Sequence, residues 1–412
     1  MLPGGVNRKL IMRLLPFDYA VRNLGRSSTR LILSVGGSAL VVVLILVAGG
    51  FVRGMSLALR ETGGVHNVLL LGAGSEESVE RSEIGAGVPA LLAASLEGIR
   101  QNAGAVYISP EVHVMLPVKF GDGAGDVSVQ NRQVMLRGVT LAASLVHEQV
   151  LLTRGRWPRA GSDEIMIGRM VPTVLGGDGE SDFGVGKTLT IDGRPWTIVG
   201  GFAAPGTVVE AEVWMPLPDL MAATKRETIS CVVLTMEPYD EATGEGLEFG
   251  DIAAFTKTRP DLELAAMTER EYYNKLAGFF QPIKIVAWVT AGLIALGGLF
   301  GGLNTMYAAF ASRIRELGTL QAVGYRRLPI AISMIQESTL ATAAGGLIAC
   351  AVGVLVLDGL SVRFSMGAFG LAIDETVLAI GLLSGLALGI LGALPPAVRC
   401  LKPTIPVALK AV

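Results

Sequence analysis

Hydrophobic and polar positions along the 412-residue chain fall into two regimes. Four stretches carry no charged residue: Leu31 to Val52 over 22 residues, Ile285 to Ser312 over 28, Ser338 to Leu357 over 20 and Thr376 to Val398 over 23. A hydrocarbon core about 30 Å thick needs roughly 20 apolar residues at 1.5 Å rise each, so every one of these predicts a spanning helix. The first has an apolar run too long for the core of a signal peptide and is expected to be retained. Between the first and second stretches the pattern changes to short β-type runs: NVLLLG, AVYISPEVHVMLPVKF, QVMLRGV, EIMIG, KTLTIDGRPWTIVGGF and ISCVVLTM. Two helical patterns interrupt them, PALLAASLEGIRQNA and TEREYYNKLAGFFQPI, the second running directly into the second span. Gly72 to Gly87 and Pro238 to Gly250 read as loops. Ahead of the first span, Phe17, Ala20, Val21 and Leu24 share a helical face with Arg22 and Arg26 off it, which predicts a short helix on the membrane surface. Gly25 would end it, and Ser27 or Ser28 would cap the next helix.

The predicted fold class is a membrane protein with four transmembrane α-helices and a large extracytoplasmic α+β domain inserted between helices 1 and 2. The expected segments are an N-terminal elbow (1–30), the first span (31–53), the outer domain (54–283), the second span (284–312), a helical loop (313–329), the third span (330–357), a short outer loop (358–375), the fourth span (376–398) and a tail (399–412). A hydrophobic content of 51% agrees with a membrane class.

Charge orients the chain. The elbow, the 313–329 loop and the tail carry 13 basic residues, Arg8, Lys9 and Arg13 among them, against two acidic ones, Asp18 and Glu316. The positive-inside rule places all three, and hence both termini, in the cytoplasm of a plasma (inner) membrane protein. Residues 54–283 carry 18 basic and 30 acidic side chains; an acidic outer domain weakly favours cationic partners, a solvated surface is the simpler reading, and no nucleic-acid partner is expected. Cys231, Cys350 and Cys400 fall on three different levels, so no intrachain disulfide is expected. Small residues four apart inside the spans predict close helix packing: Gly297 and Gly301, Gly298 and Gly302, then Gly345, Ala349 and Gly353, and Gly381, Gly385 and Gly389.

Catalytic chemistry is not evident. Asp182 to Gly193, DFGVGKTLTIDG, contains the Gly-Lys-Thr of a phosphate loop, but Ser181 stands where the first glycine is required, and an alternating β-type run follows in place of a helix. His66, His113 and His147 are scattered without metal-ligand spacing, and no G-x-S-x-G elbow occurs. No catalytic, cofactor or metal residue is therefore assigned. The informative segment is SRIRELGTLQAVGYRRLP, Ser312 to Pro329. Ile314, Leu317, Leu320 and Val323 recur at helical spacing between flanking arginines, and Gly324 can stop the helix. Leu317 and Leu320, apolar in a loop that need only be polar, suggest a docked partner over a basic loop resting on anionic lipid headgroups.

RIRELGTLQAVGYRR resembles the R-x-R-E-[IL]-G-x-L-[RK]-A-[IVL]-G signature of FtsX-like ABC transporter permeases, a group that includes macrolide-exporter and lipoprotein-releasing permeases; Gln321 replaces the usual basic residue. LGALPPAVRCLKPTIPVALK is similar to the family's close, with Pro396, Ala397, Ala408 and Leu409 in register, Gly392 and Pro406 each displaced by one, and Cys400 in place of an alanine. YAVRNLGRSSTRLIL looks like its N-terminal elbow, and LLTRGRWPRAGSDEIMIG with GVGKTLTIDGRPWTIVGGF looks like its extracytoplasmic (MacB-like periplasmic core) domain. The resemblance implies that Arg313, Arg315, Glu316, Leu317, Gly318, Leu320, Ala322 and Gly324 belong to a coupling helix received by a separate cytoplasmic ABC ATPase. It also implies a second permease chain, identical or different, and mechanical transmission to the outer domain for export or extraction of a substrate, with a periplasmic adaptor as an additional partner. A non-transporting regulator that activates an extracytoplasmic hydrolase or relays a signal is the alternative, and a membrane-anchored enzyme a third.

Overall fold

A computed structural model of the chain describes residues 15, 17–26, 28–120, 132–177, 182–239, 246–364 and 367–410. Arg8, Lys9, Arg13, Ser27, Ser181 and the centre of the 238–250 loop lie outside the described residues. The chain forms two compact units, one of residues 1–53, 283–359 and 372–412, the other of 54–282 and 360–371.

Helix α1 spans Phe17–Leu24 and α2 spans Ser28–Thr62. At 1.5 Å per residue, the 35 residues of α2 extend about 52 Å, well beyond a hydrocarbon core.

Among the described residues the second unit is built on a mixed sheet of ten strands. In chain order the strands of this unit are β1 (Asn67–Gly72), β2 (Ile84–Gly85), β3 (Gln101–Asn102), β4 (Ala105–Val106), β5 (Ile108–Phe120), β6 (Arg132–Val139), β7 (Leu151–Gly155) and β8 (Glu164–Gly168). They continue with β9 (Thr188–Ile191), β10 (Arg194–Ala203), β11 (Val213–Pro216), β12 (Thr228–Ile229), β13 (Cys231–Thr235), β14 (Leu264–Thr268), β15 (Ser361–Phe364) and β16 (Gly367–Gly370). The large sheet has the order β14-β1-β13-β5-β6-β11-β8-β10-β7, with β9 joining β10 to β5; β10 and β8 pair parallel, as do β11 and β6. Helices α3 (Val88–Ser95), α4 (Ala143–Val146), α5 (Val171–Leu175), α6 (Leu217–Thr224), α7 (Phe249–Thr258) and α8 (Glu269–Phe279) are interspersed.

Alternation decides which side of the sheet each residue serves. Ile165, Ile167, Val213 and Met215 join the main core, while Met166 and Trp214 join a second cluster with Phe202. Trp196 and Ile198 of β10 face the main core, but register shifts around Gly200 and Gly201 bring Phe202 to the other side, which is what a bulge does to a two-residue period. Two prolines sit inside β5 without breaking a ladder. Pro110 precedes the stretch paired with β6, and Pro117 faces the gap between the segments paired with β13 and β9.

Two expected elements differ. The helix read over PALLAASLEGIRQNA stops at Ser95, because Gly98 adopts a left-handed φ of +82° and Ile99 then bridges to Met236. The long β-run from Ala105 breaks at Tyr107, its first two residues forming a hairpin with Gln101–Asn102. The DFGVGKTLTIDG stretch enters β9 at Thr188 and turns at Asp192 and Gly193 (φ 48° and 77°) into β10. Lys187 is exposed at that strand entry, and no helix follows it.

The remaining helices are α9 (Gln281–Ala311), α10 (Ile314–Ala322), α11 (Arg327–Val352), α12 (Glu375–Cys400) and α13 (Ile405–Leu409). Among the described residues α2, α9, α11 with its π-helical extension, and α12 are long and apolar enough to cross a membrane. Glycine seats α2 against two of them. A Cβ on Gly345 would strike Ser38 and the Val35 carbonyl, and one on Gly381 would lie 2.7 Å from Leu46. Gly385 faces Val42, Gly353 faces Leu46, and a Cβ on Gly389 would lie 2.8 Å from the Thr339 Cα. A Cβ on Gly297 or Gly301 would meet nothing within 4 Å among the described residues; on that helix a Cβ on Gly298 would lie 2.6 Å from Val41 of α2. Gly301 instead lines a cavity of about 340 Å³ with Gly37, Ser38, Gly302 and Thr305.

Candidate functional site

The helix α10 is built into the first unit by apolar packing and by charge. Leu317 is 3% exposed in a cluster with Phe310, Ile330, Met334, Ala397 and Leu401, and Leu320 packs at its edge. A Cβ on Gly318 would lie 2.8 Å from Ala408, so only glycine admits α13 at this distance. The apolar character of Leu317 is thus accounted for by the chain's own core. Gly324, at φ +107°, turns the chain out of the helix toward α11.

Ion pairs bind the head of this helix. Arg313, its N-cap residue, donates through Nη1 to Glu337 Oε2 at 2.9 Å and through Nε to Glu316 Oε2 at 3.1 Å. Glu337 projects from the apolar α11, and its other oxygen accepts from Arg30 of α2 at 2.7 Å. Arg30 also donates to the Asn23 carbonyl at 3.1 Å, and Arg26 reaches Glu316 at 3.0 Å. A carboxylate with 7% side-chain exposure in a helix of this kind is paired with two guanidinia, which is how such a group becomes tolerable there. α1, α2, α10 and α11 therefore meet on one network.

Of the residues assigned to coupling, Arg313, Glu316, Leu317, Gly318 and Leu320 are wholly or partly turned inward, whereas Arg315, Ala322 and Gly324 are exposed. Thr319, Val323 and Arg326 extend that exposed surface, and Val323 is 74% exposed. Helical spacing put Val323 in line with Leu317, but only packing distinguishes the covered apolar positions from the open one.

A second cluster, in the sheet unit, had no signal as a site. His113 and His147, scattered in sequence, converge on Glu111, which is fully buried. Glu111 Oε1 accepts from His147 Nε2 at 2.6 Å and Ser109 at 2.9 Å; Oε2 meets His113 Nε2 at 3.0 Å and Arg137 Nη1 at 3.0 Å. Arg137 continues to both oxygens of Glu212, at 2.7 and 2.8 Å, and Trp214 donates to the same carboxylate at 2.8 Å. His147 and its cationic neighbour Arg137 outweigh burial and hold the Glu111 carboxyl well below the usual range. Burial pushes the His113 imidazole down, as does Arg137; for His147 burial acts the same way but is overcome by Glu111, and its pKa is raised. Glu111, His113 and the buried Cys231 lie close together. They do not form a cation site, because both Glu111 oxygens already take two donors each and Arg137 supplies the positive charge. The thiol of Cys231, pushed up by burial, remains protonated.

Apolar helices of spanning length, combined with a large mixed sheet unit inserted after the first of them, define a polytopic membrane protein. Residues 31–246 match the model of the MacB-like periplasmic core domain and residues 288–405 that of the FtsX-like permease C-terminal domain. The chain belongs to the FtsX-like ABC transporter permease family. It is similar to the uncharacterized ABC transporter permease YvrN of Bacillus subtilis, with 26% identity over 255 residues, covering 58% of this chain and 59% of that one. It is also similar to the macrolide export ATP-binding/permease protein MacB of Bradyrhizobium diazoefficiens, with 24% identity over 294 residues, covering 68% and 43%. The chain therefore spans about half the length of these relatives. Among solved structures, the periplasmic region of MacB from Actinobacillus actinomycetemcomitans aligns at 11% identity over 52% of this chain and 94% of that one, with a TM-score of 0.36.

Proposed function

We propose that this chain is the membrane subunit of an ABC transporter, with four spanning helices and both termini in the cytoplasm of the plasma membrane. A separate cytoplasmic ATPase receives the exposed face of α10, formed by Arg315, Thr319, Ala322, Val323 and Gly324, and two such chains pair with two ATPases. ATP-driven closure then displaces α10 with α9 and reshapes the outer domain to expel or extract a substrate at the outer face, where an adaptor can join it. The chain itself performs no catalysis. The observation that carries this reading is the bracing of α10: a short helix locked to α2 and α11 through Arg313, Glu337 and Arg30, yet presenting an unburied apolar and basic face.

Co-purification with the cognate ATPase tests it. Val323→Glu introduces a charge on the exposed face and should release the ATPase while leaving the thermal stability of the chain within about 0.5 kcal/mol of wild type, as for ordinary surface changes. Leu317→Ala should do the reverse, destabilising by about 2–4 kcal/mol through a core cavity. Undiminished binding by the Val323→Glu chain would refute the assignment of that face.

A further inference from the structure

We propose that the buried cluster of Glu111, Arg137, His147 and Glu269 is the joint through which α8 moves the outer sheet, with His147 as its proton-sensitive positioning residue. The inference rests on the transporter reading for its purpose, but the joint itself is testable without ATP.

Three segments converge on Glu269, the first residue of α8. Its Oε2 accepts from the Gly64 N–H at 2.8 Å, just past the end of α2, and from Asn67 Nδ2 at 2.9 Å, at the head of β1. Its Oε1 lies 4.0 Å from His147 Nδ1. The opposite ring nitrogen of His147 is the one bonded to Glu111 on β5, in the middle of the sheet. A single imidazole thus stands between the head of α8 and the central strands. His147 Nδ1 is buried without a hydrogen-bond partner among the described residues, and the oxygen it faces is the one Glu269 leaves uncommitted. Thr62, at the end of α2, is tied into the same region: its Oγ1 accepts from the Val208 N–H at 2.9 Å and its carbonyl from Gln149 at 3.3 Å.

Every element packed around His147 contributes a defined group. β5 presents Glu111, α8 presents Glu269, β13 sets the protonated thiol of Cys231 beside Glu111, and β6 presents Arg137, behind which stands Glu212. β11 offers the edge of Trp214 at 5.7 Å, and Asn67 of β1 donates to the carbonyl of Val146 next to it. With the imidazole charged, three carboxylates face two cations; with it neutral, they face one, and Nδ1 has no proton to offer Glu269. A buried ionic group adds little stability over an apolar one of the same volume, but it fixes one geometry and fails when a partner is lost. Those are the properties a force-bearing joint needs.

The direction with pH follows. His147 binds its proton more tightly in the folded chain than in the unfolded one. The joint is therefore complete below the ordinary histidine value of about 6.5 and loosens as pH rises through the raised value. His113, held neutral by burial and Arg137, takes no part in that range.

Hydrogen–deuterium exchange of the full chain in nanodiscs, corrected for intrinsic rates across a pH series, reads the joint directly. Protection of residues 62–67 and 268–273 should fall about tenfold, through one protonation step above pH 6.5. His147→Gln should abolish that step, and Glu269→Gln, which preserves size and removes the facing charge, should move its midpoint down. A wild-type pH profile in both variants overturns the proposal. With the ATPase present, His147→Gln should keep ATP turnover within about twofold and lose most of the ATP-driven distance change between spin labels at Lys275→Cys and Arg194→Cys. No ATP-driven change in the otherwise wild-type labelled chain would refute the transporter reading and leave the exchange result to decide the joint.

Discussion

Replacing Glu337 by Gln removes the carboxylate on which Arg30 and Arg313 converge, at 2.7 and 2.9 Å. Losing one partner of a buried ion pair ordinarily destabilises by about 3–5 kcal/mol, because the other charge stays desolvated. Here both survivors retain an alternative: Arg313 keeps Glu316 at 3.1 Å, and Arg30, 21% exposed, keeps the Asn23 carbonyl at 3.1 Å. The expected loss is therefore near the lower bound, about 2–3 kcal/mol. Equilibrium unfolding of the full chain in mixed micelles, titrated with dodecyl sulfate, measures it. A double-mutant cycle supplies the sharper test. If Glu337 and Arg313 interact as the geometry requires, Glu337→Gln and Arg313→Gln together should destabilise by at least about 1 kcal/mol less than the sum of the single changes. Additivity within about 0.5 kcal/mol would show that the two side chains do not share an interaction, and the bracing of α10 would lose its physical basis.

Gly345→Leu places a side chain against Ser38 and the α2 backbone, neither of which can yield without moving the helix, so the variant should fail to accumulate as folded protein. A Cβ at Gly301 meets nothing within 4 Å among the described residues and the position lines a cavity, so Gly301→Leu should accumulate normally, as judged by membrane-fraction yield and gel filtration. The purified chain should show no ATP turnover above background, unchanged by Lys187→Ala, since Lys187 stands exposed at a strand entry with no helix N-terminus after it.

What could be read from sequence follows the strength of each local signal. Uncharged runs of 20 or more residues have few other physical uses, so the four long apolar helices were evident, as was the short helix at Phe17–Leu24 from its one-sided apolar face. Strands β11 and β14 were not, because VWMP and LAAMT are brief apolar runs whose state is set by their neighbours in the sheet. The ionic cluster escaped for a related reason. Glu111 and His113 alternate with Val112 and Val114, which reads as a strand with one wet face, yet His147, just past α4, and Arg137 of β6 close over that face and bury it. Alternation says which residues share a side; it does not say what covers that side. Leu317 shows the same limit on a helix, where spacing identified an apolar face and only tertiary packing separated its inward residue from the open Val323.

The distribution of packing among the spans bears on which element moves in the proposed mechanism. α2, α11 and α12 interlock through Gly345, Gly381 and Gly385, contacts that depend on close backbone approach and tolerate little separation. α9 is different. It is the least buried of the four, touches α2 through Gly298 and, at Gly49, through Trp288, and leaves the 340 Å³ cavity along Gly301 and Gly302. Loosely held in the middle, it is continuous at one end with Arg313 and α10, and at the other follows α8 after the single residue Phe280. A push on α10 therefore has one poorly anchored helix to displace, and that helix leads, within a short helical segment, to Glu269. The directional contacts sit at the extremities, at Arg313 with Glu337 and at Glu269 with the sheet cluster, while the middle offers only weak, non-directional ones. In the proposed mechanism such an arrangement is suited to carrying displacement along the chain.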